Sequence, residues 1–565
     1  MAQVNDQAGL RAALGDGDPD IQITGSFTLT SSITIKYPVI IRSISPDTRY
    51  TITKADTYYT YLIRISDGGS LTLKDIIIDG NVASRPMEDE NNRSLFFVIG
   101  GTLVLSNGAV VQNNHSYKEG GGVYLSGADT YHNVFLMEGD AKVTGCSSRV
   151  TGGGVMAALR HNDDRVTLKD KALISDNSAA NGGGLYYRSY LDTVGVPLTI
   201  EGNVQFLSNR ATANGGGLYV SSFVGGTGPA VPLTINGPVT IQANQANYGG
   251  GLYYNAGSSG DRLFLGNSVD ITGNSALLYG GGLYLKGGGT ADLEGGSIRG
   301  NQTSGGGGGL YNTDGFRTEI HGTQIYANQA AIGGAVYNQN GGSVYLYEHA
   351  LIGLPEPNTA TRYAPGIYNE EVFETADQPD LANGLYIANR SSVAQIVRPL
   401  TTGAVIQLDQ SGYVTPDPAG SPIVVAEATA GYPLLRAQDA GAFRKPAAGF
   451  DGWEIRLSDD RTQVWLALAP VTHQLTYQPN DSSCAPAQCI PLPVQVLDGQ
   501  TIRLSPAIPL RCGYCFVEWN TVPDGTGTAY RPCQVLEHVT ADITLYAQWI
   551  AVSRPPYCCC QYEAR

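Results

Sequence analysis

Positive charge is scarce in this chain: 35 lysines and arginines stand against 50 aspartates and glutamates, a formal net charge of -15 over 565 residues. A surface of that sign repels phosphate backbones, so nucleic acid is excluded as a partner. No run of 18 or more apolar residues occurs, and no transmembrane helix is expected. Cysteine is nearly missing from the first 480 residues, where Cys146 stands alone, so disulfides do not hold that part together. The opening "MAQVNDQAGL" has neither the basic nor the apolar stretch of a signal peptide. The composition, poor in lysine and rich in Gly, Thr, Ser, Asn and Tyr, nevertheless points to an extracellular or cell-surface protein, with any signal absent from this chain.

Glycine and tyrosine are abundant instead, at 72 and 33 residues, and they recur together. Aligned on the Leu-Tyr pair of "NRATANGGGLYV", the phrase puts Tyr124, Met156, Tyr186, Tyr219, Tyr253, Tyr284, Tyr311 and Tyr337 in one series, 26 to 34 residues apart. A second series, Asn114, Cys146, Asn177, Asn209, Asn244, Asn274, Asn301 and Asn328, precedes the glycines. An aliphatic residue or Phe stands three positions before each member, from Val111 to Ile325.

A unit of about 30 residues with two or three short strands cannot bury its own apolar face, whereas stacked copies can. The expected fold is therefore all-β: a right-handed, single-stranded parallel β-helix in which each repeat is one coil. Strand alternation turns Leu185, Leu218, Leu252, Leu283 and Leu310 inward and the following tyrosines outward. Asn suits the turn and can bond along a ladder, which gives Asn177, Asn209, Asn244, Asn274, Asn301 and Asn328 a structural role. The glycines permit positive φ and close approach between coils. A nonapeptide calcium roll is rejected, because its Asp and its nine-residue period are absent. Tyr186, Tyr219, Tyr253, Tyr284, Tyr311 and Tyr337 are the candidate binding residues, an aromatic strip suited to sugar rings or a partner. Packing between strands would produce the same row without a ligand.

The two landmarks together resemble the repeat of the polymorphic outer-membrane protein family, which implies a surface-displayed β-helix of adhesin type. The C-terminal membrane barrel of that family is not found. Residues before Val111, including "GGSLTLKDIIIDGN", look like the start of pectin-lyase-like β-helices. A short helix from Asn5 to Leu14, capped by Asn5 and stopped by Gly15, is expected to plug the first coil. The helix domain is placed at 1–350, terminal coils and a β-rich cap at 351–470, a separate module at 471–551 and a Cys-rich tail at 552–565. In the module, Gly513, Tyr514, Phe516, Trp519, Asp524, Gly525, Gly527, Leu545, Tyr546, Ala547 and Trp549 resemble the internalin-type B repeat, the Listeria-Bacteroides repeat. That resemblance implies a small β-grasp-like module on secreted or wall-associated bacterial proteins.

Eight of the nine cysteines follow residue 480. Disulfides are the leading reading, and a zinc site of Cys484, Cys489, Cys512 and Cys515 stays open. Adjacent Cys558, Cys559 and Cys560 suggest disulfide-linked self-association. Catalysis would draw on "RPMEDENNR" (Glu88, Asp89, Glu90) or "HNDDR" (His161, Asp163, Asp164, Arg165), also the places for calcium, but solvated loops are the simpler reading. The function expected is a non-catalytic adhesin-like binding or scaffold role toward cell-surface glycans or proteins, with no catalytic residue and no cofactor assigned. A polysaccharide lyase or glycoside hydrolase is the alternative, and a surface-layer or filament component a third.

Overall fold

The computed structural model describes residues 1–84, 89–127, 130–190, 196–222, 232–388, 392–409, 421–446, 448–481 and 486–552. Its contacts divide the chain into Met1–Ala467 and Leu468–Arg565. The first unit is a parallel β-helix. One coil shows the pattern: Leu198–Glu201 lies in an 18-stranded sheet, Gln205–Leu207 in a 27-stranded sheet, Arg210–Asn214 in a nine-stranded sheet and Leu218–Ser221 in the 27-stranded sheet again. The next coil stacks parallel and in register, with Leu198 on Leu233, Phe206 on Ile241 and Leu218 on Leu252. Each coil thus buries the open edge of the one before it, so the apolar rows run continuously. Leu185, Leu218, Leu252, Leu283 and Leu310 are fully buried, as are Ile174, Phe206, Ile241, Ile271 and Ile325.

The glycine phrase is a corner between the nine-stranded and the 27-stranded sheets. Gly215 has φ +65, and a Cβ on Gly216 would come within 2.3 Å of Gly250 O and 2.5 Å of Gln245 O. Those are backbone atoms of the next coil, so no side chain fits. Beside this corner the asparagines form a buried column. Asn209 Oδ1 accepts from the Asn177 main-chain N–H (3.1 Å) and from Asn177 Nδ2 (3.0 Å). Asn209 Nδ2 donates in turn to Ile174 O (2.9 Å) and to Asn244 Oδ1 (3.0 Å). The amides of this column are thereby satisfied along the axis. The column continues to Asn358 and Asn383, beyond the last glycine phrase, and a second one links Asn312, Asn338 and Asn369. Cys146 occupies an Asn position; its N–H donates to Asn177 Oδ1 (2.9 Å), and burial pushes its thiol up to about 12.

Both ends of the stack are closed. Helix α1 is Gln7–Gly15 and buries Leu10 and Ala13. Its N-cap is Asp6 and not Asn5: Asp6 is extended, and its carboxylate accepts from Gly9 N at 2.7 Å. Helix α2, Ala437–Gly441, lies at the other end, where Gln463–Leu468 pairs antiparallel with Ile423–Ala428 and ends the parallel stack. Fully buried Asp439 on α2 accepts from Leu400 N (2.9 Å), Arg436 N (2.7 Å) and Tyr432 Oη (2.8 Å). Burial alone would raise its carboxyl; these bonds and the Arg436 guanidinium outweigh burial and hold it below the usual range.

The second unit holds a five-stranded sheet in the order Val494–Leu497, Thr472–Gln478, Ile543–Ala551, Tyr514–Asn520, Ala529–Tyr530. Trp519 is fully buried against Tyr477, Leu475, Leu545 and Ala547. Trp549 Nε1 donates to Pro479 O at 2.7 Å. The Asp-Gly-x-Gly turn wraps around Asn520, whose Oδ1 accepts from Val522 N and Gly527 N at 3.0 Å each, while Gly525 supplies φ +79.

Candidate functional site

The tyrosines of the repeat lie on the outer side of the 27-stranded sheet, in register from Tyr186 to Tyr337. Ring centroids are 4.7 Å apart for Tyr186 and Tyr219, 5.1 Å for Tyr219 and Tyr253, 4.8 Å for Tyr253 and Tyr284 and 4.9 Å for Tyr284 and Tyr311, with interplanar angles of 20° or less. Tyr337 then turns edge-on to Tyr311, and Tyr368 and Tyr386 extend the row. Tyr248 and Tyr279, from the nine-stranded sheet, close over it across the glycine corner. Tyr186, Tyr284, Tyr311 and Tyr337 are buried. Ring faces are therefore taken by other rings, and the stack stabilises the sheet as cross-strand aromatic pairs do. Burial also raises the phenols of Tyr253, Tyr284, Tyr311 and Tyr337, so they stay protonated at neutral pH.

The nine-stranded sheet behaves differently. Its inward residues are short, Ala211, Ala246, Ala276, Thr303 and Ala330, so this face sits close to the core. Its outer side forms a groove of about 750 Å³, within the range of ligand sites. Arg210, Gln245, Ser275, Gln302 and Gln329 line it, each directly following an asparagine of the column. They pair in register from one coil to the next. Thr212, Asn247, Leu277, Ser304, Ala331 and Thr361 lie on the other side of it, with the short residues Ala211, Ala246, Ala276, Thr303 and Ala330 forming the floor between. Among these described lining residues none is acidic, and Arg210 alone is charged. Sequence reasoning missed the groove, although a polar residue after each column Asn from Asn177 to Asn358 was its signal.

Each acidic loop is held within its own surroundings. Glu88 lies outside the described residues, while Asp89 holds its own turn by accepting from Asn91 N at 2.9 Å. In "HNDDR", Asp163 is exposed but Asp164 is fully buried, accepting from Asn133 N (2.6 Å), Arg160 N (3.0 Å) and His161 N (3.0 Å). This carboxylate staples the loop to the preceding coil, so the loop is not simply solvated.

A denser ionic group appears on the outer face of the 18-stranded sheet, where Arg317–His321, Ser343–Tyr347 and Val372–Asp377 stack. Register puts Glu319, Tyr345 and Glu374 in one row and His321 beside Tyr347. Arg317 bonds Glu319 and lies 3.5 Å over the Tyr345 ring; His321 Nε2 is 3.5 Å from Glu319 and Nδ1 3.7 Å from Glu348. Tyr347 Oη donates to Glu374 at 3.5 Å, and burial raises the Glu374 carboxyl above the usual range. Tyr345 and Tyr347 are buried beneath these groups.

Of the cysteines, Cys489, Cys512 and Cys533 are exposed and Cys515 is half-buried, while Cys484 and the cluster Cys558, Cys559 and Cys560 lie outside the described residues. Among the described residues no two cysteines lie at disulfide distance, and no group of three or more His, Cys, Asp or Glu could hold a metal ion. No described helix is long and apolar enough to cross a membrane.

No curated protein matches the chain. Among solved structures the chain is similar to the Azotobacter vinelandii mannuronan C-5 epimerase AlgE6 A-module, at 13% identity and a TM-score of 0.41, over 69% of this chain and 93% of that one. Residues 473–548 match the Listeria-Bacteroides repeat domain, a module typical of surface proteins.

Proposed function

We propose that this chain is an extracellular, adhesin-like protein whose β-helix binds glycans without cleaving them. The observation that carries the reading is the groove of the nine-stranded sheet: a recessed surface of amides and hydroxyls set among alanines and crossing six coils, with no carboxylate among its described lining residues. Amides and hydroxyls donate and accept at once, as sugar hydroxyls do, while acid-base cleavage of a glycosidic bond needs carboxyl groups that this surface lacks. The Listeria-Bacteroides repeat domain and the resemblance of the coils to polymorphic outer-membrane protein repeats support display at a cell surface. In this reading the tyrosines Tyr186 to Tyr337 stiffen the neighbouring sheet.

A second reading, a carbohydrate-active enzyme, is favoured by the group of Glu319, His321, Tyr347 and Glu374, where two carboxyls in unlike surroundings share one face. One experiment separates the two. The purified chain is incubated with immobilised mucin and a polysaccharide panel, and retained protein and released reducing ends are measured together. Retention without release, weakened by Gln302→Ala with Gln329→Ala, is the expected result. Sugar release abolished by Glu374→Gln would replace the binding reading with the enzymatic one.

A further inference from the structure

We infer that the groove takes an extended, uncharged linear glycan in register with the coils, one saccharide per coil, along about six residues. This rests on the glycan-binding reading above and specifies its ligand. The coils repeat at the strand spacing of about 4.8 Å, and a fully extended β-1,4-linked pyranose chain advances by a slightly longer step per residue, with alternate residues turned over. Groove residues recur at the coil spacing: Arg210, Gln245, Ser275, Gln302 and Gln329 follow one another in successive coils, and Thr361 belongs to the sixth. A straight polymer laid along them meets one polar side chain at every coil.

Charge narrows the ligand. A polyuronate or sulfated chain would need a cation at each step, and Arg210 supplies one only at the first coil. The chain as a whole, at -15, repels polyanions. The exposed amides of Gln245, Gln302 and Gln329 offer a donor and an acceptor each, suited to neutral hydroxyls. Leu277, 59% exposed in the middle of this polar surface, supplies an apolar contact of the kind the C–H face of a pyranose fills.

The test titrates the full chain with β-1,4-linked gluco-oligosaccharides and manno-oligosaccharides of two to eight residues, with α-1,4-linked gluco-oligosaccharides and oligouronates of the same lengths alongside. Affinity is expected to rise about fivefold for each added β-1,4 residue, the worth of one net hydrogen bond, and to level off near six. The curved α-linked series and the oligouronates should bind at least tenfold more weakly. Ser304→Trp, exposed in mid-groove, should abolish binding of the hexamer while the circular dichroism spectrum stays unchanged. A preference for oligouronates, or affinity independent of length, overturns the inference. So does retention of the protein on mucin when no neutral linear series binds, although glycan binding itself then stands; a chain retained on nothing in the panel loses both.

Discussion

The coil stack and the C-terminal module solve burial by different means. In Met1–Ala467 the core is one long cluster of modest aliphatic residues, repeated coil after coil and flanked by the Asn column and the Tyr row. In the second unit eight buried residues gather around a single large one, Trp519, among the described residues. A stack distributes its stability over many equivalent contacts between neighbours, whereas a small module concentrates it in a keystone. Damage to the first should depend on what is inserted, and damage to the second on which residue is removed.

The strongest break comes from placing charge in the stack. Leu218→Asp buries a carboxylate between Leu185 and Leu252 and should cost at least ~5 kcal/mol, seen as loss of soluble protein or a collapsed urea midpoint. Next, Trp519→Ala should cost about 3–4 kcal/mol. Trp519 and Trp549 report on the module and Trp453 and Trp465 on the end of the stack, so the module's fluorescence transition should shift while the tyrosine signal of the repeats does not. A smaller effect sharpens the contrast: Asn244→Ala removes the acceptor of Asn209 N and Asn209 Nδ2 and should cost about 2–3 kcal/mol. The matching change in the module, Asn520→Ala, should loosen only its turn, which limited proteolysis would show.

The smallest effect concerns pH. Asp439 titrates lower in the folded chain than in the unfolded one, so its contribution is complete above the unfolded pKa of about 3.9 and is lost as pH falls through the folded value. Asp439→Asn should lower the urea midpoint at pH 7 by the equivalent of about 1–2 kcal/mol and narrow the gap to the parent below about pH 4. A constant gap from pH 3 to 7 would mean that the carboxylate charge is not what holds α2.

The parallel β-helix was legible because in-register stacking forces equivalent positions into similar residues: the inward Leu and the Asn of each coil must meet their own kind. The last coils were harder to read. The Asn column reaches Asn358 and Asn383 and the Tyr row reaches Tyr368 and Tyr386, but Ala364 takes the positive-φ corner that Gly333 fills one coil earlier, and coil length becomes irregular, 31 residues from Tyr337 to Tyr368 and 18 from Tyr368 to Tyr386. Geometry is conserved there and spelling is not. The groove left little trace because outward residues answer to solvent and ligand, so Arg210, Gln245 and Ser275 share a place without sharing a type. The ionic group of Arg317, Glu319, His321 and Glu374 is built from successive strands 26 and 29 residues apart and shows itself only once the register is known.

The Asn column also has a direction. Between side chains each amide hands one N–H to the Oδ1 of the following coil, from Asn177 to Asn358, while its other N–H returns to a main-chain carbonyl of the preceding coil. Every coil therefore presents the same pattern of groups to the next, with the side-chain donors on one face meeting side-chain acceptors on the other. A whole coil added or deleted between Asn209 and Asn301 leaves matching groups at the new joint, so gene duplication can change the length of this protein one rung at a time, while a coil entering reversed finds donor facing donor. The column acts as a polarised thread, and the reach of the molecule becomes a count that evolution can adjust.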